Sequence, residues 1–159
     1  MTRVNLKIIL FISLIYLSNS GVSQQLNSFA LEINESYEIT AENMYIEREN
    51  HIIAFSGNVE LKQGIARLKT DQLELFFKYN FDEENFYKMS ASGNIIIKNN
   101  DLTSIYGNFA NYSVMEKKLI MTDGVILENQ MSTIKGNKLI LDLNSGKIEI
   151  FDDELDQER

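Results

Sequence analysis

The chain carries a single histidine, His51, and no cysteine. It therefore offers no thiolate nucleophile, no thiolate metal site, no paired-histidine metal site and no disulfide scaffold. His51 follows Asn50 in a segment that reads as a turn, which gives it a surface role. Three short polar residues, Asp71, Asn108 and Asn137, recur at equivalent places in the repeat described below. No nucleophile or second carboxylate recurs beside them, so acid–base chemistry has no partner there. Such side chains are suited instead to bonding locally unpaired backbone groups. No glycine loop has the spacing that cradles phosphate. The acidic run Asp152-Asp-Glu-Leu-Asp-Gln-Glu158 reads as a solvated end rather than a cation site. The sequence thus predicts no catalytic residue, no metal and no cofactor: the protein is not expected to be an enzyme.

What remains is a protein whose chemistry lies in apolar surface. The 159 residues are 44% hydrophobic, enough for one domain with a core that excludes wholesale disorder. Fifteen Lys and Arg against 23 Asp and Glu leave a formal charge of −8. Such a surface repels a phosphate backbone, so no nucleic-acid partner is expected.

The N-terminus has a composition of its own. Arg3 and Lys7 precede an uncharged, mostly apolar run from Ile8 to Leu17, and Ser18, Asn19, Ser20, Gly21, Val22 and Ser23 follow. That is the pattern of a signal peptide over residues 1–23. The apolar run is too short for the roughly 20 residues that cross a bilayer as a helix. Cleavage after Ser23 or Ser20 fits equally well, and a retained membrane anchor is the alternative. Export would carry the mature chain across the membrane, and removal of Arg3 and Lys7 would take its charge to −10.

Beyond Asn34 the pattern is strand after strand. Ile53, Phe55, Val59 and Leu61 alternate with polar or small neighbours, and the rhythm returns over Met89–Lys98 and Leu119–Glu128. A period of two marks half-buried strands. No sustained helical stripe appears after the signal, and Asn80 to Asn85 reads as a polar connection.

Three segments align: Phe55-Ser-Gly-Asn-Val-Glu-Leu61, Ala91-Ser-Gly-Asn-Ile-Ile-Ile97 and Met121-Thr-Asp-Gly-Val-Ile-Leu127. A second motif follows each: Leu68-Lys-Thr-Asp-Gln-Leu-Glu-Leu75, Ile105-Tyr-Gly-Asn-Phe-Ala-Asn-Tyr112 and Ile134-Lys-Gly-Asn-Lys-Leu-Ile-Leu141. An orphan copy of the second, Ile39-Thr-Ala-Glu-Asn-Met-Tyr-Ile46, comes first. An internal repeat of this kind governs the fold.

A Gly-Asn pair between alternating runs ordinarily suggests a hairpin. A turn at Gly57-Asn58 would set Phe55 against Glu60, mixing apolar and polar on one face. Read straight through, Phe55, Val59 and Leu61 share a face, so the glycine lies inside a strand at a bend. The second motif slips parity midway, from Leu68 and Thr70 to Leu73 and Leu75, and likewise in its other copies. A β-bulge restores the apolar face after such a slip and adds twist. The expected fold is all-β: a half-open β-jellyroll, a folded-over twisted sheet built from repeated antiparallel strand pairs. Its two edges have no proline to blunt them, which predicts head-to-tail association with itself or with similarly built partners. Charged side chains, short edge strands or the acidic tail are the alternative means of blunting.

These repeated units, apolar-x-Gly-Asn-Val-x-Leu followed by a second alternating run, resemble the OstA-like domain family of lipopolysaccharide transport proteins. The resemblance covers about residues 37 to 150 and departs in the third unit, where Asp123-Gly124 replaces Gly-Asn. It implies an OstA-like β-jellyroll over residues 24–150 with an acidic C-terminal tail over 151–159. It also implies a function: carrying lipopolysaccharide from the inner to the outer membrane along an apolar groove in outer-membrane biogenesis. The implied partners are lipopolysaccharide, held by the acyl chains of lipid A, and LptC-like inner-membrane and LptD-like outer-membrane proteins reached through edge strands. The other readings are an LptC-like membrane-anchored component of the same system, a structural β-repeat protein that binds no lipid, and an enzyme on a jelly-roll scaffold, for which the chain offers no residues.

Parity names the candidate lipid-binding residues: Phe55, Val59, Leu61, Leu73, Leu75, Phe77, Ile95, Ile97, Val125, Leu127, Leu139 and Leu141. Each fits an ordinary sandwich core as well as a ligand contact. A burial gain of about 0.8 kcal/mol per methylene would let acyl chains bind such a groove without any charged site.

Overall fold

The computed structural model describes residues 37–82, 85–99 and 103–152. The expected signal peptide, and the acidic tail beyond Asp152, lie outside the described residues. Nine strands follow one another: β1 (Tyr37–Thr40), β2 (Asn43–Glu47), β3 (Ile52–Gln63), β4 (Ala66–Phe77), β5 (Phe86–Asn99), β6 (Thr103–Ser113), β7 (Lys118–Asn129), β8 (Thr133–Asp142) and β9 (Ile148–Phe151). No α-helix occurs among the described residues. Phe151 closes β9 opposite Lys138, so the last strand runs one residue past the domain boundary at 150.

All nine strands lie in a single antiparallel sheet in the order β1-β3-β4-β5-β6-β7-β8-β9, and β2 also pairs β3. β1 and β2 divide the free side of β3 between them. Ile39 stands opposite Leu61, and Met44 opposite Phe55. The orphan copy of the second motif is therefore a broken strand, whose two pieces flank the Gly57-Asn58 bulge.

Each odd-numbered strand from β3 to β7 keeps its Gly-Asn or Asp-Gly pair inside the strand. Register jumps from Ser56 to Val59, from Ser92 to Ile95 and from Thr122 to Val125. Both residues of each pair adopt the left-handed conformation: Gly57 and Asn58 at φ +80° and +46°, Gly93 and Asn94 at +81° and +47°, Asp123 and Gly124 at +66° and +70°. Glycine, asparagine and aspartate are the residues that tolerate this region. That tolerance is why Asp-Gly in the third unit builds the same bulge as Gly-Asn. The parity slips in β4, β6 and β8 are the counterpart, one residue facing two across each seam.

The bulges run as a line across the sheet and divide it into two leaves. On the buried face the residues at this line are small: Ala41, Thr70, Gly107 and Gly136. A Cβ on Gly136 would lie 2.6 Å from the Phe151 carbonyl oxygen, and one on Gly107 would lie 3.1 Å from Met121 Cε. Thr70 is buried, and its hydroxyl lies 2.9 and 3.0 Å from the carbonyl oxygens of Ser92 and Gly93, acceptors that the bulge withdraws from the ladder. A single sheet with one apolar face can cover it only by folding that face onto itself. The core cluster joins both leaves, including Phe55, Leu73, Leu75, Met121, Leu139 and Leu141 on one side of the line and Val59, Leu68, Ile95, Ile105 and Val125 on the other.

The hairpin between β8 and β9 is tied by Asp142. Its carboxylate accepts from the backbone N–H of Ser145 at 3.0 Å and of Asn144 at 2.9 Å. Those bonds, that to Ser145 foremost, hold the carboxyl below its usual range.

Candidate functional site

The fold turns the alternating residues of every long strand toward one interior. All twelve residues named from parity face it. Phe55, Val59, Leu73, Leu75, Phe77, Ile95, Val125, Leu127, Leu139 and Leu141 are buried, whereas Leu61 and Ile97 are half-buried and pack against the others. The interior contains an apolar cavity of about 80 Å³ between the leaves. Leu61, Ala66, Leu68 and Ile97 line it from one leaf, and Met89, Ala91, Ala110, Tyr112, Leu119 and Leu141 from the other, with Arg67, Asn99 and Leu143 completing its wall. Of the twelve named residues only Leu61, Ile97 and Leu141 touch this cavity; the remainder form the packed core beside it. Phe77 belongs to an aromatic cluster at the end of the β4–β5 hairpin, with ring centroids 5.5 Å from Phe81 and 5.7 Å from Phe86. His51 is at the same end, in a turn at φ +54°, its ring 6.1 Å from Phe81.

Three members of this wall stand outside the twelve and are polar: Arg67, Asn99 and Tyr112, the last placed inward by the parity of its motif. Tyr112 is buried, and desolvation raises its phenol above the usual tyrosine range. Asn99, at the end of β5, is 2% exposed, and neither its Nδ2 nor its Oδ1 has a hydrogen-bond partner among the described residues. Its parity with Ile95 and Ile97 turns it inward, but nothing local in the sequence shows that its carboxamide meets no partner.

Outside the trough, the three recurring polar residues stand at the bulges. Asn94 Nδ2 donates to Asp71 Oδ2 at 2.8 Å and Asn137 Nδ2 to Asp152 Oδ1 at 3.2 Å, while Asn108 Nδ2 approaches the Asp123 carbonyl at 3.4 Å. Only Asn108 bonds backbone as expected; the other two bond side chains on the neighbouring segment. Glu42 fills the same place in the broken strand, where its carboxylate accepts from Asn58 Nδ2 and its N–H donates to the Gly57 carbonyl at 3.0 Å. These are seam fasteners on the outer surface, remote from the apolar cavity. Among the described residues no group of three or more His, Cys, Asp or Glu could hold a metal ion.

The two edges differ. Beyond β1 and β2 no further strand follows among the described residues. At the other end β9 covers β8 only from Lys138 to Leu141, which leaves Thr133–Gly136 without a strand on its outer side. Ile134, inward by parity, is therefore 47% exposed.

Comparison with known proteins agrees with this architecture. An uncharacterized protein of Rickettsia prowazekii (strain Madrid E) is 28% identical over 106 residues, 65% of this chain and 72% of that one. The crystal structure of LptH, described as the LptA-homologous periplasmic component of the lipopolysaccharide transport device of Pseudomonas aeruginosa, superposes with a TM-score of 0.62. The match is 16% identical and covers 76% of this chain and 85% of that one. The fold is thus shared, open and jellyroll-like. The family model for LptA and the LptD N-terminal domain, lipopolysaccharide transport proteins, matches residues 38–147, well over half of the chain. By that match the chain belongs to the LptA/LptD N-terminal domain family of lipopolysaccharide transport proteins, which are not enzymes.

Proposed function

We propose that this protein binds lipopolysaccharide through its acyl chains in the trough between the leaves and bridges the inner and outer membranes from the periplasm. The observation that carries this reading is the apolar interior, which runs through every long strand from Ile39 in β1 to Leu141 in β8. Acyl chains gain about 0.8 kcal/mol per buried methylene, so the apolar wall supplies affinity while sugars and phosphates stay in water. The cavity is smaller than one such chain, and loading spreads the two leaves about the line of bulges. In this reading residues 1–23 direct export, Ile39–Leu141 and β9 form the carrier domain, and the open edges at β1/β2 and β8/β9 receive LptC-like and LptD-like partners or further copies.

The test uses purified, detergent-free protein offered lipopolysaccharide. Leu61 and Ile97 are the informative positions, because they line the cavity yet are half-buried, so a charge placed there can reach water from a folded protein. Leu61→Asp and Ile97→Asp, each confirmed folded by circular dichroism, are expected to lose uptake. Normal loading in both variants overturns the trough assignment. A photocrosslinker at position 97 in cells then reports lipid and partner together.

A further inference from the structure

A buried carboxamide with nothing to bond is costly, because its donor and acceptor lose water and receive no replacement. Asn99 is in that state. Apart from Tyr112, the buried set of the described residues holds one other polar side chain, Thr70, and Thr70 has three carbonyl oxygens within reach of its hydroxyl. Asn99 has none, although it closes the wall of the cavity beside Ile97 and Ala66. Its backbone is ordinary ladder, opposite Ala66 of β4 and Thr103 of β5's other neighbour, β6, so the side chain is not held inward to repair a local defect.

We infer that Asn99 is a ligand-recognition residue, whose carboxamide bonds a neutral donor–acceptor group, a hydroxyl or an amide, on an acyl chain lying in the trough. The inference rests on the acyl-chain reading above and adds what that reading lacks, a preference among chains. A carboxamide offers one acceptor oxygen and two N–H donors, which match a group that both gives and takes a hydrogen bond. A bare hydrocarbon leaves them orphaned. A chain with a hydroxyl near its head satisfies them and is held in one register along the trough. A cation is poorly matched, since the amide carries no charge and the one charged residue on the wall, Arg67, is itself a cation, 3.8 Å from Glu60.

The experiment measures displacement of a fluorescent fatty-acid probe by tetradecanoic acid and by 3-hydroxytetradecanoic acid, on wild-type protein and on Asn99→Leu. The two acids share length and carboxylate, so their ratio isolates the hydroxyl. Wild type is expected to bind the hydroxylated chain more tightly by roughly threefold to tenfold, the yield of one hydrogen bond. Asn99→Leu, close in volume and free of unmet polar atoms, is expected to fold, melt no lower than wild type and bind both chains alike. If wild type takes up neither acid, the acyl-chain reading fails. If it takes up both without preference, or if Asn99→Leu keeps the preference, the trough stands and the role of Asn99 is overturned. Asn99→Ala, which leaves the backbone ladder untouched, gives the same comparison should the leucine variant not fold.

Discussion

Asn94 Nδ2 bonds Asp71 Oδ2 at 2.8 Å across the seam between β5 and β4, and the same carboxylate lies over the neighbouring glycine. A Cβ built on Gly93 would stand 2.5 Å from Asp71 Oδ2. The acid that fastens the bulge thus also requires the residue before Asn94 to have no side chain. Gly57 stands in the same relation to Glu42. The glycine serves two ends, a left-handed backbone and room for the fastener.

Gly93 and Gly124 separate those two demands. Gly124 has φ +70° with open space around it, whereas Gly93 has φ +81° and the Asp71 carboxylate in the way. Gly124→Ala is expected to cost about 1 kcal/mol from backbone strain alone, and Gly93→Ala about 2–3 kcal/mol. Chemical denaturation of the two variants decides it; equal losses would show that the carboxylate yields freely.

Core and cavity positions respond differently to change. Leu73 and Leu139 have no exposed surface, and truncation of either to alanine is expected to cost about 2–5 kcal/mol in unfolding free energy. Leu75, 2% exposed, will not accept aspartate in a folded protein, because the charge would be buried without a partner. Retention of a cooperative unfolding transition by Leu75→Asp at 25 °C would contradict this packing.

Tyr112 makes stability sensitive to alkali. Burial raises its phenol in the folded state, so the unfolded chain gives up this proton first as pH climbs. The contribution is complete below the ordinary tyrosine range, near pH 10, and is lost as pH rises through the folded value. Phenolate absorbance titration is expected to show one late-ionising tyrosine, absent in Tyr112→Phe. A Tyr112→Phe profile identical to wild type would place the late group elsewhere.

The edges bear on assembly. Ile46 on β2 and Ile134 on the uncovered part of β8 are 46% and 47% exposed, apolar side chains on strand segments with no outer neighbour among the described residues, where an added strand would cover them. Size-exclusion elution of the wild type is expected to shift to larger size with concentration. Ile134→Lys is expected to suppress the shift at unchanged melting temperature. Elution as a monomer at every concentration would remove the head-to-tail reading.

Much of this was legible in the sequence, because it is written in local periods. Alternation of two identified the strands, the repeat indicated antiparallel strand pairs, and the parity of Phe55 and Val59 across Gly57-Asn58 showed a bend within a strand rather than a turn. All twelve residues named from parity face the interior for the same reason: side-chain direction along a strand is a property of neighbours in the chain.

Depth and distance across the fold are a different matter, since they depend on what the other leaf brings. Only the tertiary structure decided that Leu61 and Ile97 border a cavity while Leu73 and Leu139 are sealed. It alone decided that β9 stops short and leaves Ile134 in water, and that Asn99 meets no partner. A strand's sequence states which way each side chain points, and folding the sheet upon itself determines what waits there.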